Sequence, residues 1–187
     1  GQEWEADNKG FDNAVAAGYT PGAGGAGFYK LRSKLGDNWM TGAKRVFMPN
    51  NHPKMSDRVN NFNRKLTEYS GNHVKVVGDA QVQINGITVV APVKTGHLLA
   101  GERAYLIAGN LARLYHDNKM QNAAVGSDGE VVIGGVTVMT PVEGEDAEKI
   151  VNDINFAIAQ TNNTVIDPAP KAAETVRNNI SAQDKRF

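Results

Sequence analysis

Apolar residues recur at helical spacing through residues 1–70, and from residue 74 the pattern changes period. Phe11, Ala14, Val15 and Gly18 fall at i, i+3, i+4 and i+7, which predicts a helix over 3–17. Its acidic first turn suits the positive end of the helix dipole, and Gly18 with Pro21 is placed to stop it. Phe28, Leu31 and Leu35 predict a second helix over about 24–36 with these three on one face. Residues 36–51 read as a loop tucked in by Trp39, Phe47 and Met48. Val59, Phe62, Leu66 and Tyr69 mark the inner face of a third helix over about 55–69. Three helices without a sheet lack a partner for their apolar faces. The expectation is that they once packed on something absent, and so either pair with a second copy or are poorly ordered.

From residue 74 the pattern becomes strand-like. Val82, Ile84, Ile87 and Val89 flank Asn85-Gly86, a strong signal for a two-residue type I′ hairpin turn. Such a turn sets Ile84 opposite Ile87 and Val82 opposite Val89, with Gln81, Gln83 and Thr88 on the other face. Forty-nine residues later Val131, Ile133, Val136 and Val138 flank Gly134-Gly135, and Pro92-Val93 returns as Pro141-Val142. A helix follows each hairpin. The stripe Ala104, Ile107, Ala108, Leu111, Leu114, Tyr115 is matched forty-three residues on by Ala147, Ile150, Val151, Ile154, Ala157, Ile158. This is a tandem ββα repeat over 74–162, with copies at about 74–118 and 123–162. One hairpin and one helix bury too little to stand alone. Two copies about an approximate two-fold axis predict an antiparallel sheet of four or six strands with helices on one face. Residues 163–187 form a tail, broken by Asp167-Pro168-Ala169-Pro170, with a polar helix from Lys171 to about Gln183. The fold class expected is therefore α+β.

Composition narrows the partners rather than the fold. Hydrophobic residues make up 41% of the 187 and charged residues 21%, ordinary values for a globular protein. Zero net charge and a pI near 7.1 give no electrostatic footprint for nucleic acid or an anionic membrane. No apolar run reaches the roughly 20 residues that span a bilayer. Cysteine is absent, which excludes disulfides and thiolate metal ligands.

Two short runs carry the candidate chemistry. Glu3-Trp4-Glu5-Ala6-Asp7 leads to Ala17-Gly18-Tyr19-Thr20-Pro21, and His52-Pro53-Lys54-Met55-Ser56-Asp57-Arg58 follows. The order E-x-E-A-D, A-G-Y-x-P, H-P-x-x-x-D-R resembles the back half of the zinc metallopeptidases of the HtpX, BepA and CAAX-prenyl-protease group. The resemblance covers residues 1–70, which it marks as the C-terminal helical part of a metallopeptidase domain. That family's H-E-x-x-H helix, with two zinc ligands and the general base, lies upstream of E-x-E-A-D and is not in this sequence. On this resemblance Gly1 is expected to mark an expression or cleavage boundary, and no peptidase activity is expected of the chain alone.

Glu3 and Asp7, four apart on one helical face, would repel each other by a few tenths of a kcal/mol unless a cation or histidine intervened. The resemblance implies that Glu3 is the third zinc ligand of the intact parent and that Asp7 orients a histidine ligand from behind. It also implies that His52 and Arg58 line the active-site cleft. The plain structural alternatives are an acidic first turn serving the helix dipole, a loop histidine against Pro53, and an Arg58 salt bridge to Glu3 or Asp7. A catalytic zinc needs three protein ligands, and Glu3 with His52 gives two, so no tight zinc binding is expected of this chain. His73, His97 and His116 show no H-x-x-x-H spacing, and His73 and His116 read as solvated residues flanking their elements. The glycines of Pro21-Gly22-Ala23-Gly24-Gly25-Ala26-Gly27 lack the preceding strand of a phosphate loop and read as a flexible helix entry.

Three functions follow as expectations. The resemblance implies the C-terminal segment of an exported bacterial zinc metalloendopeptidase acting on protein or peptide substrates. The ββα repeat, which the resemblance does not cover, could instead be a binding or dimerisation module acting through a free sheet edge. A degenerate peptidase retained as scaffold is the third.

Overall fold

The computed structural model describes residues 2–37 and 54–170. The expected loop anchors Trp39, Phe47 and Met48, together with His52 and the tail helix from Lys171, lie outside the described residues. Among the described residues the fold is α+β, with five helices and two three-stranded antiparallel sheets.

The N-terminal helices form close to where the spacing places them: α1 spans Gln2–Ala16, α2 Ala23–Leu35 and α3 Met55–Tyr69. Gly18 ends α1 at φ 88°, and the Tyr19 N–H donates back to the Ala14 carbonyl, a left-handed stop that glycine makes without strain. Asp37 reaches the start of α3, taking the Ser56 N–H at 2.8 Å on one carboxylate oxygen and the Ser56 hydroxyl at 2.9 Å on the other.

The repeat adds a strand ahead of each hairpin. β1 (Val74–Val77), β2 (Gln81–Ile84) and β3 (Ile87–Val90) form one sheet in chain order, followed by α4 (Ala100–His116). β4 (Ala123–Val125), β5 (Val131–Ile133) and β6 (Val136–Met139) form the other, followed by α5 (Ala147–Ile158). The type I′ turns are in place, with Asn85 and Gly86 at φ 53° and 85° and Gly134 and Gly135 at 57° and 79°. The expected pairing of Val82 with Val89 is corrected, because Val82 faces Val90 and Val89 is the extra residue of a bulge. The second copy slips at the same point, with Val131 facing Met139 past Val138. The slip is useful to the core, since Val89, Val90, Val138 and Met139 are all buried.

The single sheet expected of the two copies is also corrected. No ladder joins the two sheets; helices join them. α4 packs on β1 and β2 of its own sheet and on β6 of the other, while α5 packs on β4 and β5 and crosses to β2 and β3. Each helix thus bridges both sheets.

The N-terminal helices have a partner after all, which overturns the expectation that theirs is absent. α2 and α3 pack on α4, and Phe11, Val59, Phe62 and Leu66 share one apolar cluster with Val82, Leu111 and Ile154. α2 uses only part of the apolar stripe read from the sequence: Phe28 packs on the core and stacks on Phe62, whereas Leu31 and Leu35 are 40% and 50% exposed. Its buried face is Gly25 and Ala26. A Cβ at Gly22 would overlap the Tyr105 carbonyl, at Gly25 the Tyr105 ring, at Gly24 the Phe62 ring, and at Gly109 of α4 the Gly22 backbone. These glycines permit close helix approach; they are not a loose helix entry.

One buried ion pair fastens the copies to each other. Arg103 on α4 is 7% exposed, and the Glu145 side chain, between β6 and α5, is 4% exposed. The guanidinium donates to both Glu145 oxygens, at 2.5 and 2.9 Å, and to the Val93 carbonyl at 2.7 Å. The carboxylate also takes the backbone N–H of Val93 and of Val142, each at 2.9 Å. Burial pushes the Glu145 carboxyl up, but the Arg103 guanidinium and these two N–H groups outweigh it and hold it below its ordinary value.

Gly109→Ala is expected to destabilise the fold by about 1–3 kcal/mol in urea unfolding, because backbone cannot move aside. Gly27→Ala, where a Cβ meets nothing within 4 Å, should be neutral or stabilising by roughly 0.5–1 kcal/mol. Glu145→Gln should cost about 3 kcal/mol at neutral pH by stranding the buried guanidinium. Since the folded Glu145 pKa is depressed, its contribution is complete above the ordinary value of 4.5 and is lost as pH falls through the folded value. The gap between wild type and Glu145→Gln should therefore close on acidification below that point.

Candidate functional site

Two of the four candidate residues meet. Asp7 lies in the second turn of α1, 5% exposed, and Arg58 in the first turn of α3. Arg58 Nε donates to Asp7 Oδ2 at 2.8 Å and Nη2 to Oδ1 at 2.5 Å, a two-pronged pair between residues far apart in sequence. The guanidinium also lies over the Phe28 ring, 4.0 Å from its centroid, so α2 backs the pair. Further contacts hold α1 against α3: Asn61 Nδ2 donates to Asn8 Oδ1 at 3.0 Å, and Lys65 pairs with Asp12 at 2.9 Å.

Glu3 sits one turn before Asp7 and is half-buried. Glu5 points away into solvent and pairs with Lys9 at 2.7 Å, a hydrogen bond that lowers its carboxyl pKa. His52 lies outside the described residues, so its distance to Glu3 is not part of the geometry. Of the alternatives set out for Arg58, a salt bridge to Asp7 is the one formed.

A cavity of about 270 Å³ opens between α1, α2 and α3. Phe11, Ala14, Pro21, Phe28 and Phe62 give it an apolar wall, and Asp7 is the charged group on it. The first motif is thus at the edge of an apolar cleft and the arginine of the third motif is bonded to it.

Among the described residues no three His, Asp or Glu side chains are grouped to hold a metal ion. Glu3 is the one described residue to which the resemblance gives a direct ligand role. Asp7 fits the part of a supporting group, since each carboxylate oxygen bonded to Arg58 retains a second lone pair for a histidine N–H.

His73 and His116 correct the expectation of merely solvated residues. His73 is half-buried, stacked on Tyr115 with centroids 4.2 Å apart, and its Nδ1 lies 2.6 Å from Asn85 Oδ1. His116, though exposed, is stacked on Tyr69 at 3.8 Å. No spacing in the sequence brings these residues together; only the chain's return from the hairpin to α4 does.

Searches of family models, of curated proteins and of solved structures find no match to this chain. No described helix is long and apolar enough to cross a membrane.

Asp7→Ala should cost about 3 kcal/mol, because it leaves Arg58 charged and three-quarters or more enclosed without its partner. The double variant Asp7→Ala, Arg58→Met should recover much of that loss. Chemical denaturation of the two variants and their parent checks both values.

Proposed function

We propose that residues 1–70 are the trailing helical part of a zinc metalloendopeptidase domain, in an exported bacterial protein acting on proteins or peptides. The observation that carries this reading is the Asp7–Arg58 pair. It sets the E-x-E-A-D helix against the helix that carries the D-R of H-P-x-x-x-D-R, with Asp7 on an apolar cleft. In the parent, zinc would polarise the scissile carbonyl and activate a water. Glu3 would supply a carboxylate ligand, Asp7 would fix the orientation of a histidine ligand, and Arg58 would hold Asp7 in place. His52 would line the same cleft. Because H-E-x-x-H is not in the sequence, the chain alone is inactive on this reading.

The coding sequence upstream of Gln2 provides the test. An H-E-x-x-H within roughly a hundred residues, on a helix packed against α1, is expected. A protein extended to include it should bind zinc and cleave an unfolded protein such as casein. Glu3→Gln in that longer protein should lower zinc affinity and activity together. Asp7→Asn should lower zinc affinity by about 10–100-fold, as for other groups that orient a ligand. An upstream segment without the motif sinks the enzyme reading and leaves the scaffold or binding module.

A further inference from the structure

The chain holds one Asn-Gly bond, Asn85-Gly86, in the turn between β2 and β3. Turn geometry does not account for the asparagine. The matching turn of the second copy is Gly134-Gly135, which takes nearly the same φ values with no side chain at the first position. What Asn85 adds is its amide, and that amide is turned to the other copy. The residue is 3% exposed, and Nδ2 donates to the Ala157 carbonyl at 3.0 Å and the Gln160 carbonyl at 3.4 Å. Those two contacts set the sense of the amide, so Oδ1 accepts from His73 Nδ1 at 2.6 Å.

The end of α5 depends on this side chain. The other helices each stop at a residue of positive φ: Gly18 at 88°, Gly36 at 75°, Gly71 at 69° and Asn118 at 54°. No described residue after α5 has a positive φ. In α4 the Leu114 carbonyl, which matches that of Ala157, takes the Lys119 N–H just past the helix at 2.8 Å. The Ala157 carbonyl takes the Gln160 N–H at 3.2 Å and is completed by the Asn85 amide, from the first copy. The segment that follows is held at the same turn. The Asn163 N–H donates to the Asn85 carbonyl at 3.2 Å, and the Thr164 hydroxyl to the His73 carbonyl at 3.4 Å.

Asn-Gly is also the dipeptide most open to loss of its side-chain amide, because glycine puts no side chain beside the attacking nitrogen. The Gly86 nitrogen gives up its proton and bonds to Asn85 Cγ, the Cγ–Nδ2 bond breaks, and ammonia leaves with that proton. Water from the solvent then opens the succinimide to aspartate or isoaspartate. The folded turn opposes both early requirements. Ring closure needs the Gly86 nitrogen on the side of Cβ, which the ψ of roughly +30° in a type I′ turn prevents. The leaving Nδ2 is held by two carbonyls and Oδ1 by His73. A carboxylate in its place only accepts. It keeps the His73 bond but sets an oxygen against two carbonyls at the negative end of the α5 dipole.

We propose that Asn85-Gly86 is a modification site closed by the docking of α5. The amide is lost only when the end of α5 and residues 160–164 lift from the turn, and its loss then hinders their return.

The test incubates the full chain, folded and in urea, at one mildly alkaline pH and follows Asn85 by peptide mass spectrometry. The folded chain should lose the amide at least roughly tenfold more slowly, the factor for about one hydrogen bond broken on opening. Amide hydrogen exchange in two variants checks the consequence. Asn85→Gly keeps a turn that Gly134 already makes and removes the cap without adding charge. Exchange at Gln160 and Asn163 should be roughly tenfold faster in Asn85→Gly and faster again in Asn85→Asp, with β4, β5 and β6 unaltered. The proposal is overturned if folded and denatured chains lose the amide at the same rate. It is equally overturned if Asn85→Asp leaves exchange at Gln160 and Asn163 at the parent's rate.

Discussion

The fold turns on one carboxylate. Val93 and Val142 occupy equivalent positions in the two copies, just after the third strand of each, and both donate their N–H to Glu145. A single side chain thus takes the same group from each copy. Arg103 answers it from the first helix of the repeat and also bonds the Val93 and Thr140 carbonyls, so three stretches of chain converge on one ion pair. Most of the lone pairs and protons of a pair buried this deeply must be satisfied for it to be tolerable, and here backbone groups do that. Because no ladder links the sheets, this polar junction and the two bridging helices fix their relative position.

Those parts of the architecture that rest on local rules could be read from the sequence. Asn85-Gly86 and Gly134-Gly135 specify type I′ turns through backbone preference alone, and each turn sets the register of the pairs next to it. Gly18 likewise ends α1 for a reason internal to the helix. The bulges at Val89 and Val138 could not be read so. Alternation puts one residue of Val89-Val90 inside and one outside, whereas a helix packed over β3 rewards burying both. Both copies make the same slip, so it belongs to the packing of the repeat.

α2 shows a different failure. Apolar spacing placed Phe28, Leu31 and Leu35 on one face, of which only Phe28 packs on the core; the helix turns its glycine face inward because tight backbone approach lets Tyr105 and Phe62 fill the space a Cβ would occupy. Small residues carry no hydrophobic signal in a periodicity argument, so a helix that packs through them looks misoriented or flexible. The same packing gives the N-terminal helices a partner inside the chain. α1, α2 and α3 therefore need no missing surface to be held, and the apolar cleft beside Asp7 is a feature among the described residues that a further helix could fill.

The candidate site was legible only as separate motifs, and the Asp7–Arg58 bond is what joins two of them. Such a pair does two things that pull in different directions as evidence. It closes the interface of α1 with α3, a purely structural role, and it also aims a carboxylate at a cleft. Cost separates the roles. An ion pair serving only to hold two helices gains little over apolar residues of the same size, because desolvation consumes most of the attraction. Lys65 with Asp12, on the exposed flank of the same interface, pays far less of that penalty. For Asp7 and Arg58 two charge-assisted hydrogen bonds and the Phe28 ring over the guanidinium offset that desolvation, so the pair closes the α1–α3 interface much as Arg103 and Glu145 close the junction between the copies.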